Sequence, residues 1–240
     1  MKNNTIAFIP ARGGSKRFPR KNVALLNDKP LIAWTIESAI ESGAFEKIVV
    51  SSDDREILEA AEKYGRDKIV LHQRSEAFSG DTVTAPEVLG HLLRELAAQG
   101  EEYQRCCLLL PTCPFRSAED IVKAQALLNA QVDSVISMKP SPVVADFIFQ
   151  EGNDGVAHPL LEDTRVIQGK TRSQDYPDMY YPNGAIYLAW TETFLKENRF
   201  YSRNFKILPM PEFRSVDIDI EEDLIYAHAI YEHFLKTPQA

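Results

Sequence analysis

Between Ile9 and Asn22 the chain reads IPARGGSKRFPRKN, and five of the ten residues from Arg12 to Lys21 are lysine or arginine. The whole chain carries a formal net charge of -8, so this cluster runs against the general balance. Gly13 and Gly14 lack a Cβ, which lets the backbone turn tightly and offer N–H groups to an anion. Arg12, Lys16 and Lys21 add charge-assisted donors suited to phosphate oxygens. The spacing is neither the GxxxxGK of a Walker loop nor the GxGxxG of a dinucleotide fold. A solvated basic loop is the plain alternative. Paired glycines directly behind the first apolar run favour phosphate binding.

A second signal lies near the other end, in SVDIDIEEDL (215–224). On an extended segment, residues two apart face the same side, so Asp217 and Asp219 can converge on one hard cation. Mg2+ commonly takes one or two carboxylates and completes its shell with substrate phosphates. The plain alternative is helix capping, because Glu221, Glu222 and Asp223 begin a helical pattern. A phosphate loop and a carboxylate pair together point to nucleotidyl transfer. An acceptor hydroxyl attacks the α-phosphate of a nucleoside triphosphate and pyrophosphate leaves. Catalysis is then positioning and charge neutralisation by Mg2+, Arg and Lys. His72, His91 and His158 gather with no cysteine or carboxylate at ligand spacing and read as packed or surface histidines. Cys106, Cys107 and Cys113 form no CxxC pair, and their odd number argues against a disulfide framework. They read as reduced thiols of a cytoplasmic protein, two of them in the core.

These residues need a frame, and the hydrophobic pattern supplies one. Strand-like runs at IAFIPA (6–11), KIVVSS (47–52), DKIVLH (67–72), RCCLLLP (105–111) and DSVISMK (133–139) alternate with helical segments at 30–43, 55–65, 84–100 and 117–130. Thr84 stands three residues before Glu87, a capping-box spacing. The alternation predicts an α/β fold, a mostly parallel sheet with helices on both faces. In such sheets ligands bind at the carboxyl ends of the strands, where Arg12–Asn22 leaves the first. After Lys139 the rhythm breaks. VADFIFQ (144–150) and the turn EGNDG (151–155) read as an inserted hairpin, followed by loops to Tyr181. GAIYLAW (184–190) and FKILPMP (205–211) return as strands, and 221–236 is the closing helix. Trp34 and Trp190 read as core.

A length of 240 residues suits a single domain. Hydrophobic residues make up 44% and charged residues 26%, a globular balance. The acidic excess argues against a nucleic-acid partner. No segment has the length of a membrane span, and the apolar stretch Ile6–Pro10 is too short for a signal peptide.

Several blocks, in order, resemble those of the CMP-sialic acid synthetases, or acylneuraminate cytidylyltransferases. ARGGSKRFPRKN matches the family loop ARxGSKxxPxKN. IVVSSDD (48–54), SGDT (79–82), PTCPFRSAEDI (111–121), YPNGAIYL (181–188) and SVDIDIEEDL resemble further blocks. The resemblance covers about Ile6 to Ile230. It implies a Rossmann-like nucleotidyltransferase fold and the reaction of CTP with a nonulosonic acid, giving a CMP-sugar and pyrophosphate. Arg12, Gly14, Ser15, Lys16 and Lys21 would hold the triphosphate, with Arg12, Lys16, Lys21 and Asp217 catalytic. Asn22 and Arg74 would lie near ribose and base. Asp217 and Asp219 would bind Mg2+. Residues from about 140 to 180 would form a dimerisation lobe of a homodimer. Arg172, Phe200 and Tyr201 would serve the sugar, the last two reaching the partner's pocket or simply packing.

The departures from the family pattern fall on the sugar side. LLLPTCP puts Leu110 where sialic acid enzymes often carry Gln, Val144 stands at the place of a sugar-facing Lys, and RSQD keeps Arg172 but replaces a second Arg by Ser173. The sugar is therefore sialic acid or a 9-deoxy relative such as legionaminic or pseudaminic acid. A metal-dependent glycosyltransferase also uses Asp-x-Asp but needs no basic loop after the first strand. A non-catalytic nucleotide-binding module would have lost loop lysines or a carboxylate, and this chain retains both.

Overall fold

A computed structural model describes residues 4–65, 69–80 and 82–236, and the alternation of its first strand, β1 (Thr5–Pro10), sets the layers. Ala7 and Ile9 point to one side of the sheet, where Ile32, Ile36, Ile57 and Ile121 pack on them. Ile6 and Phe8 point to the other, against Val88, Leu89, Leu92 and Phe194. A strand buried on both faces this way needs helices above and below it. Asp67 and Lys68, expected at the head of a strand, and Asp81 of the SGDT block lie outside the described residues.

The chain continues through a small hairpin, β2 (Leu25–Leu26) and β3 (Lys29–Pro30), then α1 (Leu31–Glu41), β4 (Lys47–Ser52), α2 (Arg55–Glu62) and β5 (Ile69–Gln73). Next come α3 (Ala85–Ala98), β6 (Arg105–Leu108), α4 (Ala118–Leu127) and β7 (Ser134–Pro140). The last part holds β8 (Phe149–Glu151), β9 (Ala157–Pro159), β10 (Tyr180–Trp190), α5 (Thr191–Glu197), β11 (Phe205–Pro209) and α6 (Glu221–Ile230). Helices α1, α2 and α4 cover one face, and α3 and α5 the other. Both expected caps form: Thr84 with Glu87 on α3 and Ser117 with Asp120 on α4. The β2–β3 hairpin was not expected. Asn27 and Asp28 both take positive φ, 49° and 62°, which is the two-residue turn that twists correctly between antiparallel strands.

Seven strands form one sheet in the order β11-β7-β10-β6-β1-β4-β5. All neighbours run parallel except β10, which is antiparallel to both β6 and β7. Its register shifts between Pro182 and Tyr187, and Gly184 sits in that bulge with φ 79°. The segment joining β7 to β10 carries β8 and β9, which pair only with each other among the described residues. No helix among the described residues is long and apolar enough to cross a membrane.

Candidate active site

At the carboxyl ends of β1 and β6 lies a cavity of about 270 Å³. Arg12, Ser15, Lys16, Lys21 and Asn22 form one wall, Leu110 and Thr112 another, and Asp217 and Asp219 a third. The basic loop and the carboxylate pair, 198 positions apart from Lys21 to Asp219, thus meet in one place.

The loop is fixed from behind. A Cβ on Gly13 would lie 2.8 Å from the Cβ of Asp54, so only glycine fits there. Asp54 caps α2 by accepting from the Glu56 amide at 2.8 Å. Gly13 donates its N–H to Asp53 Oδ1 at 2.9 Å. That amide is therefore spent on a carboxylate rather than offered to an anion, a correction to the expected role of the paired glycines. Gly14 is exposed in open space beside the cavity rather than in its wall. Asn22 closes the loop by donating Nδ2–H to the Arg12 carbonyl at 3.0 Å. Lys21 and Asn22 are buried, at 8% and 4% exposure.

The carboxylate segment is anchored at successive residues. Arg214 pairs with buried Asp120 at 2.5 Å, and Ser215 Oγ accepts from Asn183 Nδ2 at 2.8 Å. Cys113 Sγ lies 3.2 Å from the Val216 carbonyl and 2.8 Å from that of Asn183. Burial pushes the Cys113 thiol up to about 12, which keeps its proton on sulfur and available to these carbonyls. Ile218 donates its N–H to the Thr112 carbonyl at 2.8 Å and buries its side chain completely. Asp223 accepts from the amides of Asp219 and Ile220 at 2.8 and 2.9 Å, starting α6. With Ile218 turned inward, Asp217 and Asp219 both face the cavity, as the two-residue period requires.

The two carboxyls differ in their surroundings. Lys21 Nζ donates to Asp219 Oδ1 at 2.9 Å and Arg17 to Oδ2 at 2.7 Å. Burial alone would raise the Asp219 pKa, but Lys21 and Arg17 together hold it below its ordinary value. Asp217 opens into the cavity, yet protein encloses that recess. Desolvation pushes its carboxyl above the ordinary value, and Asp219 adds repulsion, against a hydrogen bond with Thr112 and the charge of Lys21. Two carboxylates that repel across a recess form an oxygen donor set that fits a hard cation. Among the described residues no three His, Cys, Asp or Glu side chains gather as a metal cage. A cation here would draw its other ligands from phosphate and water.

The remaining expected residues stand apart from the cavity wall. Arg74 lies behind the loop, its Nε and NH2 donating to Ser51 Oγ at 2.9 Å and Ser51 O at 3.0 Å. Burial lowers its pKa, followed by the opposing effect of Asp53 and a lowering from Arg12. His72 Nδ1 lies 2.9 Å from the same Ser51 Oγ. Ser51 Oγ thus accepts from Arg74 and is shared with His72 Nδ1, which links the ring to the guanidinium. Phe200, expected at the sugar, is 3% exposed and packs against Phe194 and Tyr187. Its role is corrected to core packing, since the apolar ring fills the space beneath α5. Tyr201 is 47% exposed, with its ring 6.2 Å from Tyr187. Arg172 is exposed in the lobe. All three cysteines are free and buried.

Two supporting residues carry no obvious signal of their own. Arg116 is 3% exposed. It donates to Ala185 O at 2.7 Å, to Thr35 Oγ1 at 2.6 Å and to the Leu110 carbonyl. Burial lowers its pKa to about 10, so it stays charged at neutral pH and clamps the Leu110 turn to β10 and α1. Asn183 accepts from Ser137 Oγ at 2.7 Å while donating to Ser215. It thereby joins β7, the β10 bulge and the carboxylate segment.

Residues 6–166 match a family model described as Cytidylyltransferase. The chain is 33% identical to the pseudaminic acid cytidylyltransferase of Campylobacter jejuni, over 97% of this chain and 97% of that protein. It is 34% identical to the CMP-N,N'-diacetyllegionaminic acid synthase of Legionella pneumophila, over 95% of this chain and 96% of that one. Among solved structures, a CMP:2-keto-3-deoxy-manno-octonic acid synthetase complexed with CTP superposes with a TM-score of 0.67. It covers 95% of this chain and 98% of its own at 14% identity, a likeness of fold alone.

Proposed function

The chain belongs to the cytidylyltransferase family that its motifs resemble, that of the CMP-sialic acid synthetases and their legionaminic and pseudaminic counterparts, and on that premise we propose that it joins CTP to a nonulosonic acid with release of pyrophosphate. The convergence of the basic loop and Asp217–Asp219 in one cavity at the strand carboxyl ends carries this reading. Arg12, Lys16 and Lys21 bind the triphosphate and neutralise the charge that develops on the leaving pyrophosphate. Ser15 adds a hydroxyl to the same wall. Asp217 and Asp219 would hold Mg2+, which would supply Lewis-acid polarisation of the phosphate. The sugar acid enters beside Leu110, Tyr187 and Tyr201, where its hydroxyl meets the α-phosphate in line. The reaction belongs to the cytoplasm, where three free thiols stay reduced.

Leu110 favours a 9-deoxy sugar over sialic acid. Its Cδ1 lies 3.5 Å from the Cβ position of Gly184, and its side chain brings neither donor nor acceptor to the wall. The lobe favours a homodimer. A lone two-stranded hairpin is marginal in water, and Ile148, Phe149, Leu160, Leu161 and Ile167 stand exposed around β8 and β9. A second copy would cover them. The test is pyrophosphate release from CTP, with and without Mg2+, against sialic, legionaminic and pseudaminic acids. Release that needs both the metal and one of these acids supports the reading. Release indifferent to all three overturns it.

A further inference from the structure

Five cations crowd the loop, and their partners divide them. Arg20 pairs with Glu56 on α2, away from the cavity. Lys21 and Arg17 both serve Asp219, but in different ways. The Lys21 side chain is only 10% exposed and is held in place by its surroundings, whereas the Arg17 side chain is 69% exposed. Arg17 also lines the cavity together with Arg12, Ser15 and Lys16. An exposed ion pair of this kind is weak and its long cation exchanges partners at little cost. A guanidinium pairs with phosphate in the same forked geometry it uses for a carboxylate.

We propose that Arg17 is a nucleotide-binding residue that exchanges partners: it occupies Asp219 Oδ2 until a triphosphate arrives, then moves to the phosphates and frees that oxygen for the divalent cation. The inference rests on the reading of this cavity as the CTP site. Its chemistry is charge balance. Before binding, Asp219 is flanked by two cations, and a dication approaching Oδ2 meets a guanidinium 2.7 Å from that oxygen. A polyphosphate brings the negative charge that draws Arg17 away. Metal and nucleotide thereby enter together, and the carboxylates bind a free cation poorly when no substrate is present. Lys21 stays with Oδ1 throughout and keeps Asp219 ionised and oriented.

The experiment is a titration of Mn2+ into the full chain, read by the electron paramagnetic resonance of free Mn2+. It is run with and without an α,β-methylene analogue of CTP that cannot react. Wild type, Arg17→Ala, Arg17→Lys and Asp219→Asn are compared. Without nucleotide, Arg17→Ala should bind Mn2+ about two- to fivefold more tightly than wild type, the scale of an exposed ion pair. The factor by which the analogue tightens Mn2+ should shrink in Arg17→Ala, because linkage makes the coupling reciprocal. The KM for CTP should rise about tenfold in that variant, and Arg17→Lys should restore most of both effects. Equal Mn2+ affinity in wild type and Arg17→Ala, with Asp219→Asn clearly weakened, overturns the exchange and leaves the nucleotide site standing. Unchanged affinity in Asp219→Asn, with the analogue present, overturns both.

Discussion

On the proposed reading the site has a nucleotide side and a sugar side, and they are built by different means. The nucleotide side is a contiguous loop and a three-residue segment, dense in charge. Its groups answer one another: Arg17 and Lys21 answer Asp219, Asp53 answers Gly13, and Asn22 answers Arg12. The sugar side is assembled from separate segments, with Leu110 from one turn in the cavity wall and, outside that wall, Tyr187 from β10 and Tyr201 after α5. The rings of Tyr187, Phe200 and Tyr201 pack on one another at 5.7 and 6.2 Å. Charge recognises a triphosphate whatever else is bound, so the first side fixes the reaction. Apolar shape discriminates by small energies, so the second side can change substrate by a few side chains. Variants on the nucleotide side should therefore depress turnover with every sugar, and variants on the sugar side should change the ratio between sugars.

The largest effect is expected at the carboxylates. Asp217→Asn and Asp219→Asn each remove one charge at nearly constant volume, and turnover should fall by at least about two orders of magnitude with every sugar. Loss confined to one sugar would break the division between the two sides. Asp217→Asn carries a second signature. The folded pKa of Asp217 is raised, so its contribution to stability is present below the unfolded value and lost as pH rises through the folded one. Once ionised above that raised value, it burdens the fold. Asp217→Asn should melt higher than wild type at pH 7, and the gain should vanish in acid; calorimetry at both pH values checks this.

Next in size is Lys21. A loop lysine reads from sequence as surface charge, removable without harm to the fold. At 8% exposure it is part of the packing. Lys21→Ala should lower turnover by about ten- to a hundredfold and also lower the melting temperature. Lys21→Met, which keeps the stem, should recover the stability and leave turnover low. If Lys21→Met were as active as wild type, the charge at Asp219 Oδ1 would be dispensable, and the nucleotide side would not work by charge.

His72 tests how far the nucleotide side extends behind the loop. His72→Phe removes the hydrogen-bond partner of Ser51 Oγ and loosens Arg74, so the KM for CTP should rise about three- to tenfold, with kcat little changed. Burial lowers the His72 pKa from 6.5, Glu95 opposes this, and Arg74 and His91 add to the lowering. A lowered folded value means stability present above the unfolded pKa and lost as pH falls through the folded one. Between pH 7 and 5 wild type should lose more stability to urea than His72→Gln. Identical slopes, together with an unchanged KM, would confine His72 to packing.

The contrast also explains what the sequence disclosed. The loop and the Asp217–Asp219 pair were legible because their residues are adjacent and their chemistry follows from type and period. The parallel core was legible because βα alternation admits few other folds. The direction of β10 was not, since the rhythm stops at Lys139 and antiparallel pairing follows only from the chain's return through the lobe. Arg116, Asn183 and Cys113 were missed as supports because the partners that give them this role lie 32 to 103 positions away. A lone arginine inside the apolar run PTCPF–R and an asparagine before the bulge glycine were the available signals. Phe200 was placed at the sugar by resemblance, while the packing of α5 claims it for the core.

The smallest effect, and the sharpest test of the comparison, lies at Leu110. It is half-buried in the cavity wall, and its backbone is clamped by Arg116 and packed over Gly184. The side chain can therefore change while the turn stays in place. Sialic acid presents a hydroxyl where legionaminic and pseudaminic acids present a methyl. Against leucine, a hydroxyl that loses water and finds no partner costs roughly 1–3 kcal/mol. An apolar pocket nevertheless rejects an added hydroxyl only weakly, because the group can turn toward residual water. The lower end of that range, about fivefold in kcat/KM in favour of the 9-deoxy sugars, is the expected preference. Leu110→Gln supplies a donor and an acceptor and should erase or reverse that ratio while leaving the KM for CTP within about twofold. The measurement is kcat/KM for the three sugars at saturating CTP in both proteins. A wild type that prefers sialic acid, with a ratio untouched by Leu110→Gln, would show that this wall does not choose the sugar. Discrimination would then have to come from elsewhere, with Arg172 and the segment joining β7 to β10 the next residues to vary.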